Sequence, residues 1–423
     1  MKRTLKLLAM ALMAGAMFTA CGGDDNGNPE PPTPPTPEGN FPDVTITSKV
    51  SGAVKAGLPD AITITGKGFD PDLDYIKVGY EDGGALNTDN KVLDAALTLN
   101  KTRVAFGISI DAPYLGKTVK IYLDRPGYDP MPLTGDITFT MPTVAEGYIP
   151  DPAFRAALNS DHPQQGNPSI KPLFNALGMI DVEGAAMCKS LNLYVCAATS
   201  LEGIELFTGV TGVVSAWDMP NIKEIDLSKW QAKGIDFRCE RAAKLEKFIC
   251  APWATTVIIH SCPKLTYVDA HNCNWMDRIN INDLEKNTDG GKNSNVTYFD
   301  VRRDMSGTYN DNPTKPEFYR LWGGCGFKVG DNATILVDSW FLWDHNVGNC
   351  TWSDIYDAWK TRGATIKVYS RVKPYTDELL GTVPMASVDP NALSPNNKNG
   401  KKPATSDNKY KIDDPHTELD ESL

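Results

Sequence analysis

Residues 245–270 read LEKFICAPWATTVIIHSCPKLTYVDA, and their apolar side chains follow two short alternating patterns. The first pattern is apolar-x-x-apolar-x-apolar, as in Leu245, Phe248 and Cys250. The second is the apolar-x-apolar pair that begins at Val257. Each pattern is long enough for one strand or one turn of chain. Together they predict a coil whose apolar side chains point inward.

Both patterns recur along the chain at nearly constant spacing. The apolar-x-apolar pair starts at residues 191, 213, 235, 257 and 279, which are 22 residues apart. The pair at 213 is incomplete, because Val213 is apolar but Ser215 stands where the second apolar residue is expected. The longer pattern starts at residues 201, 222, 245 and 265 and returns at Val296 after a polar insertion at 286–294. A period near 22 residues indicates a solenoid in which each repeat stacks on its neighbours.

Length and charge limit the classes of function. The chain has 423 residues, which suggests two or three domains, and 41% of them are hydrophobic, which excludes a wholly disordered protein. It carries 53 acidic and 42 basic side chains, a formal net charge of −11. Nucleic-acid binding usually needs a basic face, so we expect no nucleic-acid partner.

The first 40 residues have the composition of an export signal and a spacer. Residues 1–20 join a basic start, Lys2, Arg3 and Lys6, to an apolar stretch that is short for a membrane span, as in a signal peptide. Residues 21–40 include six prolines between Pro29 and Pro37, which favour a semi-rigid polyproline II tether.

The junction between these two segments carries a family resemblance. Small residues before Cys21 resemble the lipobox of bacterial lipoproteins, and the following Gly-Gly-Asp-Asp-Asn resembles the surface-export signal of Bacteroidetes lipoproteins. The resemblance implies cleavage before Cys21 and lipidation of that residue. It further implies an outer-membrane protein exposed at the cell surface, held to the membrane by its lipid anchor only.

Residues 41–142 predict an all-β Ig-like sandwich. Short runs of β-branched residues alternate there with Gly and Asp clusters, as in Val119–Leu123 and Ile137–Thr140. The segment AGLPDAITITGKGF at 56–69 resembles the opening of IPT/TIG-type domains. That resemblance implies a spacer or a binding module.

Residues 149–303 resemble the leucine-rich-repeat domains of internalin-like bacterial surface proteins. Asp151 and Pro152 suit the start of a helix, and the phrases LEGIELFT at 201–208 and IDLS at 225–228 are close to the family. The family has an Asn or Cys eight residues after the first apolar position of each repeat. In this chain only Cys273 matches that position, so irregular coils are expected. The resemblance implies an irregular leucine-rich-repeat-type solenoid with a surface for protein or glycan.

Residues 304–388 predict an α/β C-terminal cap, and residues 389–423 predict a disordered tail. The cap is rich in aromatic residues, which either form a small core or stay exposed as ligand platforms. The candidate ligand-binding residues are Trp340, Trp343, Trp352 and Trp359.

Cysteine and histidine residues invite two further interpretations. Cys325 and Cys350 lie outside the repeats and are candidates for a disulfide in an exported protein. Within the repeats, Cys239 and Cys262 could form a cross-coil disulfide or pack as small apolar residues. The phrase His-x-Cys occurs at 260–262 and 271–273, but half-coils face different sides of a solenoid, so no metal site is predicted.

No nucleophile, metalloprotease or nucleotide-binding motif occurs in the chain, so no enzyme activity and no cofactor are expected. The leading hypothesis is a non-catalytic lipoprotein that binds a protein partner through the solenoid, in adhesion or host interaction. One alternative is a glycan-binding accessory of nutrient uptake that uses the cap tryptophans to bind a polysaccharide. The other is a structural component of a surface assembly.

Overall fold

The computed structural model describes residues 41, 43–48, 50–160, 173–194, 196–271, 273, 276, 278–282, 295–302, 320–321, 329–338, 359–369 and 379–384. Within these residues the chain forms four β-sheets, two complete α-helices and three further helical residues at 359–361. No helix in the described part is long and apolar enough to cross a membrane. Two separate hydrophobic cores are present. One is formed by side chains from residues 41–139 and the other by side chains from residues 149–366.

The strands of the first region, residues 41–140, are β1 Thr45–Ile46, β2 Gly52–Lys55, β3 Ile62–Lys67, β4 Tyr75–Asp82, β5 Ala85–Lys91, β6 Leu97–Leu99, β7 Arg103–Phe106, β8 Thr118–Asp124, β9 Met131–Pro132 and β10 Ile137–Thr140.

Two sheets pack around the first core. One is antiparallel with the strand order β1-β3-β7-β6. The other has the order β2-β10-β8-β4-β5, with β9 beside β8, and it is mixed because β2 runs parallel to β10. Alternate side chains point into the core, as Ile62 and Ile64 of β3 do, because successive residues of a strand face opposite sides.

The second region, residues 149–384, begins with helices α1 Pro152–Asn159 and α2 Val182–Met187. Its strands are β11 Gly212–Trp217, β12 Glu224–Asp226, β13 Ile235–Glu240, β14 Lys247–Ile249, β15 Ala254–His260, β16 Tyr267–Asp269, β17 Arg278–Asn282, β18 Tyr298–Asp300, β19 Arg320–Leu321, β20 Thr334–Asp338, β21 Thr365–Tyr369 and β22 Leu379–Pro384.

Helix α1 starts where the sequence predicts it. Asp151 caps the helix by accepting hydrogen bonds from the backbone N–H groups of Ala153 and Phe154, and Pro152 occupies the first turn. Phe154 and Leu158 are buried on one face. The predicted N-cap at Asp151 and the predicted apolar face of helix α1 are therefore confirmed.

The repeats form two facing sheets. Strands β11-β13-β15-β17-β19 make a parallel five-stranded sheet. Strands β12-β14-β16-β18-β20-β21-β22 make a seven-stranded sheet that is parallel except for the last pair. Each of the five coils from β11 to β20 gives one strand to each sheet, and the inward side chains meet between the sheets. The rings of Phe237 and Phe248, one from each sheet, stack with centroids 5.8 Å apart.

The expected fold class, an all-β Ig-like sandwich followed by a leucine-rich-repeat-type solenoid with an α/β cap, is wrong. The first region is not purely antiparallel, since β2 pairs in parallel with β10. The second region uses two parallel strands per coil and few helices, whereas a leucine-rich repeat combines one strand with a helix or 3₁₀ turn. Strands β20, β21 and β22 continue the seven-stranded sheet instead of forming a separate cap. The physical reason is that both patterns carry the two-residue alternation of a strand, so both half-repeats extend.

One predicted core position is also wrong. Val213 lies opposite Asp236, outside the core, and 49% of it is exposed. Val214 pairs with Phe237 and takes the inward position. A shift of one residue reverses the face of every side chain in a strand, so the 22-residue spacing alone could not settle this register.

The corners that follow the strands of the five-stranded sheet share one conformation. Asp218, Arg241 and Ser261 come directly after β11, β13 and β15 and have φ values of 54°, 57° and 53°. This left-handed backbone is unfavourable for residues with a side chain, so each corner is held by the stacking of successive coils. The N–H of Arg241, for example, donates to the carbonyl of His260 on the next coil.

Candidate functional site

Of the candidate ligand-binding, lipidation and disulfide residues predicted from the sequence, only Trp359 lies within the described residues. Trp359 is described, and it is fully buried in the second core, so its ring is not part of an exposed aromatic platform. The remaining candidates lie outside the described residues: Cys21, Trp340, Trp343, Trp352, Cys325 and Cys350.

The repeat cysteines are buried free thiols. The thiol of Cys262 donates to the carbonyl of His260. A hydrogen bond with Cys262, together with burial, raises the pKa of Cys239 well above its ordinary value. The Cys239 thiol therefore stays protonated. Cys239 and Cys262 pack as small apolar side chains, which is one of the two interpretations that the sequence left open.

The clearest concentration of functional groups lies on the outer side of the seven-stranded sheet. Parallel pairing in register places equivalent residues of successive strands side by side about 4.8 Å apart, so the six strands β12 to β21 span about 24 Å. We call this surface the tyrosine face. Its two rows are Glu224, Lys247, Tyr267, Tyr298, Thr334 and Thr365, and Asp226, Ile249, Asp269, Asp300, Leu336 and Lys367, with His271 and Arg302 beyond the second row.

Two tyrosines stack at the centre of the tyrosine face. Tyr267 and Tyr298 are in register, and their rings are nearly parallel, 2° apart, with centroids 4.4 Å apart. The ammonium group of Lys247 lies 5.5 Å from the Tyr267 centroid and 2.8 Å from the Glu224 carboxylate. Burial and the neighbouring carboxylate of Asp269 raise the pKa of Tyr267. Burial and the carboxylate of Asp300 likewise raise the pKa of Tyr298, so both phenols are neutral hydroxyls near pH 7.

Next to the tyrosines, Asp269 and His271 form a close ion pair, with Oδ1 and Nδ1 2.7 Å apart. The hydrogen bond to Asp269 raises the pKa of His271 against the opposing effect of burial. Burial by itself would raise the pKa of Asp269, but the hydrogen bonds from the His271 ring and backbone outweigh it and lower that pKa. The imidazolium and carboxylate forms stabilise each other.

A second ion pair lies on the neighbouring strand. Asp300 has a side chain that is only 1% exposed, and Arg302 donates hydrogen bonds to both of its carboxylate oxygens at 2.6–3.1 Å. The Arg302 guanidinium also lies 4.3 Å from the ring centroid of Tyr369. A buried carboxylate needs such a partner, because an uncompensated charge away from water is costly.

The donor atoms of Asp269, His271 and Asp300 lie within 4.8 Å of one another, which is close enough to consider a metal ion. The charges argue for ion pairs instead. Each carboxylate already accepts from its own cationic partner, and a divalent ion would lie beside the Arg302 guanidinium. His260 ends strand β15 of the five-stranded sheet, whereas His271 follows strand β16 of the seven-stranded sheet, so the two His-x-Cys phrases do not converge.

The sequence patterns do not reveal the tyrosine face. Tyr267 and Tyr298 lie 31 residues apart because of the polar insertion at 286–294, which breaks the regular spacing. The signal that could have revealed it is the phrase apolar-x-Tyr-apolar-Asp. This phrase occurs twice, as LTYVD at 265–269 and as VTYFD at 296–300. Reading its Tyr and Asp as outward neighbours required knowing that both segments are adjacent parallel strands.

Comparison with known proteins adds no identity to this picture. No family model, curated protein or solved structure matches the chain.

Proposed function

We propose that this chain is a non-catalytic binding protein of the cell surface that engages a protein partner through the tyrosine face. The observation that carries the proposal is the stacked pair of Tyr267 and Tyr298 on the outer side of the seven-stranded sheet, with charges of both signs around it. Tyrosine and arginine are enriched at the centres of protein interfaces, because they combine large contact area with hydrogen-bonding groups.

The arrangement of the rings favours a protein over a sugar. A sugar ring stacks on an open aromatic face, and Tyr267 has Tyr298 on one side and Lys247 on the other. The parts left for a partner are the ring edges and the two hydroxyls, which also hydrogen-bond with each other. Side chains of a folded partner pack against such edges and accept hydrogen bonds from the hydroxyls.

The charge balance of the face supports the same choice. With His271 protonated, the tyrosine face carries four basic and four acidic groups: Lys247, His271, Arg302, Lys367, Glu224, Asp226, Asp269 and Asp300. A polyanion such as nucleic acid or a sulfated polysaccharide requires a net positive surface. A balanced surface instead fixes the orientation of a partner with complementary charges.

The proposal includes the location implied by the start of the chain. Lipidation at Cys21 and the proline-rich residues 21–40 would hold the described regions away from the outer membrane, where the tyrosine face meets partners. No catalytic step is part of this function.

Site-specific photo-crosslinking tests the proposal. Benzoylphenylalanine is placed at Tyr298 and, as a matched control, at Tyr75 in the first region. Tyr75 is 37% exposed and, like Tyr267, has a lysine over its ring. A partner protein that cross-links on cells to the probe at position 298, and not to the probe at position 75, is then purified and titrated with the full chain. We expect the double variant Tyr267→Ala, Tyr298→Ala to weaken binding at least about 30-fold, which is the effect of one interface hot spot of about 2 kcal/mol, and Tyr75→Ala to change it less than twofold.

The proposal fails if no protein cross-links specifically from position 298. It also fails if the purified partner binds the double variant as tightly as the unchanged chain. Equal urea midpoints for the double variant and the unchanged chain would show that any lost binding reflects the surface and not the fold.

A further inference from the structure

The outer side of the five-stranded sheet carries a second, separate group of side chains at the end of its strands. Trp217 lies opposite Glu240, and Glu240 lies opposite His260 in the next strand. On the preceding coil, Asn192 pairs with Ser215 and Tyr194 contacts Trp217. We call this group the indole corner, formed by Asn192, Tyr194, Trp217, Glu240 and His260.

Two aromatic rings shape the indole corner. The rings of Tyr194 and Trp217 have centroids 5.7 Å apart and are tilted by 52°, and both side chains are half-buried. A tilted pair leaves ring surface that is not covered by the other ring, in contrast to the parallel pair on the tyrosine face. Such a surface accepts the C–H groups of a sugar ring.

Three polar atoms of the indole corner have no hydrogen-bond partner. They are Oδ1 of Asn192, Nε1 of Trp217 and Nε2 of His260, and they make up three of the four buried side-chain atoms in this condition among the described residues. Buried polar groups in proteins are nearly always hydrogen-bonded, so three orphans on one surface call for a common explanation. A ligand that supplies the missing partners is one.

The kinds of orphan atom identify the chemistry of that ligand. The indole N–H of Trp217 only donates, and the amide oxygen of Asn192 only accepts. Burial lowers the pKa of His260 despite the nearby Glu240 and a hydrogen bond with the Asn280 side chain, so the ring is neutral near pH 7. Its Nε2 atom can then either donate or accept. Hydroxyl groups both donate and accept, so adjacent hydroxyls of one molecule match all three atoms.

The surrounding charges favour an uncharged ligand. Arg241 donates to both oxygens of Asp218 at 2.6 Å, and Arg238 makes the same kind of bidentate pair with Asp236. Both guanidinium groups are therefore already engaged, and Glu240 adds a negative charge. An anionic sugar would meet this carboxylate without a free cation to bind it.

From these observations we infer that the indole corner binds a neutral oligosaccharide, with Trp217 as its main contact. The site is independent of the tyrosine face, because it lies on the opposite sheet. All three orphan atoms are covered by neighbouring atoms in the structure, so the side chains of Asn192, Trp217 and His260 must turn outward for hydroxyls to reach them. Ligand binding is therefore expected to change the fluorescence of Trp217.

Titration of the full chain with defined oligosaccharides tests this inference. The probes are maltoheptaose, xylohexaose and mannohexaose, with oligogalacturonate as the anionic comparison, followed by calorimetry and tryptophan fluorescence. We expect saturable binding of at least one neutral probe and weaker or no binding of oligogalacturonate. Trp217→Ala should lower the affinity at least tenfold and remove the fluorescence change. Trp217→Phe, which keeps a ring but loses the N–H, should give an intermediate loss.

Trp253→Ala is the matched control. Trp253 is also half-buried beside a lysine, but its Nε1 already donates to Gln231 at 2.9 Å, and its loss should change sugar affinity less than twofold. Three results would each overturn the inference: no neutral probe binds up to 10 mM, Trp217→Ala and Trp217→Phe bind as well as the unchanged chain, or only the anionic probe binds. Circular dichroism of Trp217→Phe checks that its fold is retained.

Discussion

A single carboxylate connects two segments of the second region. One oxygen of Asp151 accepts from the N–H groups of Ala153 and Phe154 at 2.8 and 2.9 Å and caps helix α1. The other oxygen accepts from the N–H and hydroxyl of Thr199, both at 2.7 Å, and from the N–H of Ser200 at 3.2 Å. The sequence predicts the cap because Asp precedes Pro and an apolar helix face. It cannot predict the bonds to residues 48 and 49 positions later.

We therefore expect Asp151→Ala to lower the free energy of unfolding by about 3 kcal/mol, from the lost cap and the three lost hydrogen bonds to Thr199 and Ser200. Asp181→Ala is the control, since Asp181 caps helix α2 through one N–H only and should cost about 1 kcal/mol. Urea denaturation measures both. Equal losses for the two variants would contradict the role of Thr199 and Ser200.

The same variant has a defined pH dependence. Burial alone would raise the pKa of Asp151, but the hydrogen bonds from Thr199, Phe154 and Ser200 outweigh it and lower that pKa. The stabilisation is therefore complete above the ordinary value of 3.8 and is lost as the pH falls through the lowered pKa. The stability difference between Asp151→Ala and the unchanged chain should be constant from pH 7 to 5 and shrink below pH 3.8.

The strands and the left-handed corners of the repeats favour different residue types, and serine occurs in both. Ser261 occupies a corner with φ of 53°, and Ser215 lies within strand β11. Glycine relieves the strain of a left-handed corner, whereas a β-branched residue increases it. In a strand the preference is reversed.

Substitution of these two serines should give effects of opposite sign. We expect Ser261→Gly to raise the free energy of unfolding by about 0.5 kcal/mol and Ser261→Val to lower it by about 2 kcal/mol. At Ser215 the Gly variant should lose about 1 kcal/mol and the Val variant should be neutral or slightly stabilising. The same order of stability at both positions in thermal or urea unfolding would show that the corner is not strained.

The apolar patterns predict the inside of the repeats well and the outside poorly. Ile235, Phe237, Val257 and Ile259 are all buried, as the alternation predicts, because inward positions only need to be apolar. The patterns do not distinguish a second strand from a leucine-rich-repeat turn, since a unit of six residues fits both. The outer surfaces depend on register across strands, which the spacing around Val213 and the insertion at 286–294 obscures.

At the scale of the whole molecule, the two cores meet through a small set of contacts. The N–H of Ile110 donates to the carbonyl of Leu177 at 3.0 Å, and the side-chain amide of Asn175 donates to the carbonyl of Gly57 at 3.3 Å. Met179 packs so closely on Gly57 that a Cβ there would lie 2.5 Å from its Cγ. A buried apolar contact of this kind couples the unfolding of the two cores.

A charge at this contact should uncouple the two cores. Met179 is buried, so Met179→Glu places a carboxylate beside Gly57 and Ile110 without a cationic partner. Hydrogen exchange in rising urea, read separately for the strands of the two regions, should give coincident midpoints for the unchanged chain. In Met179→Glu the midpoints should separate by about 1 M urea, which corresponds to a coupling of about 2 kcal/mol at ordinary urea slopes.

The control for this experiment is Met187→Glu, because Met187 lies in the same segment of the chain but is 58% exposed. Its midpoints should remain coincident, since a new surface charge costs little. If the unchanged chain already shows two separate midpoints, the contact at Gly57 and Met179 joins the cores geometrically without linking their stabilities. The first region would then behave as an independent spacer, and the binding surfaces of the repeats would depend on their own coils alone.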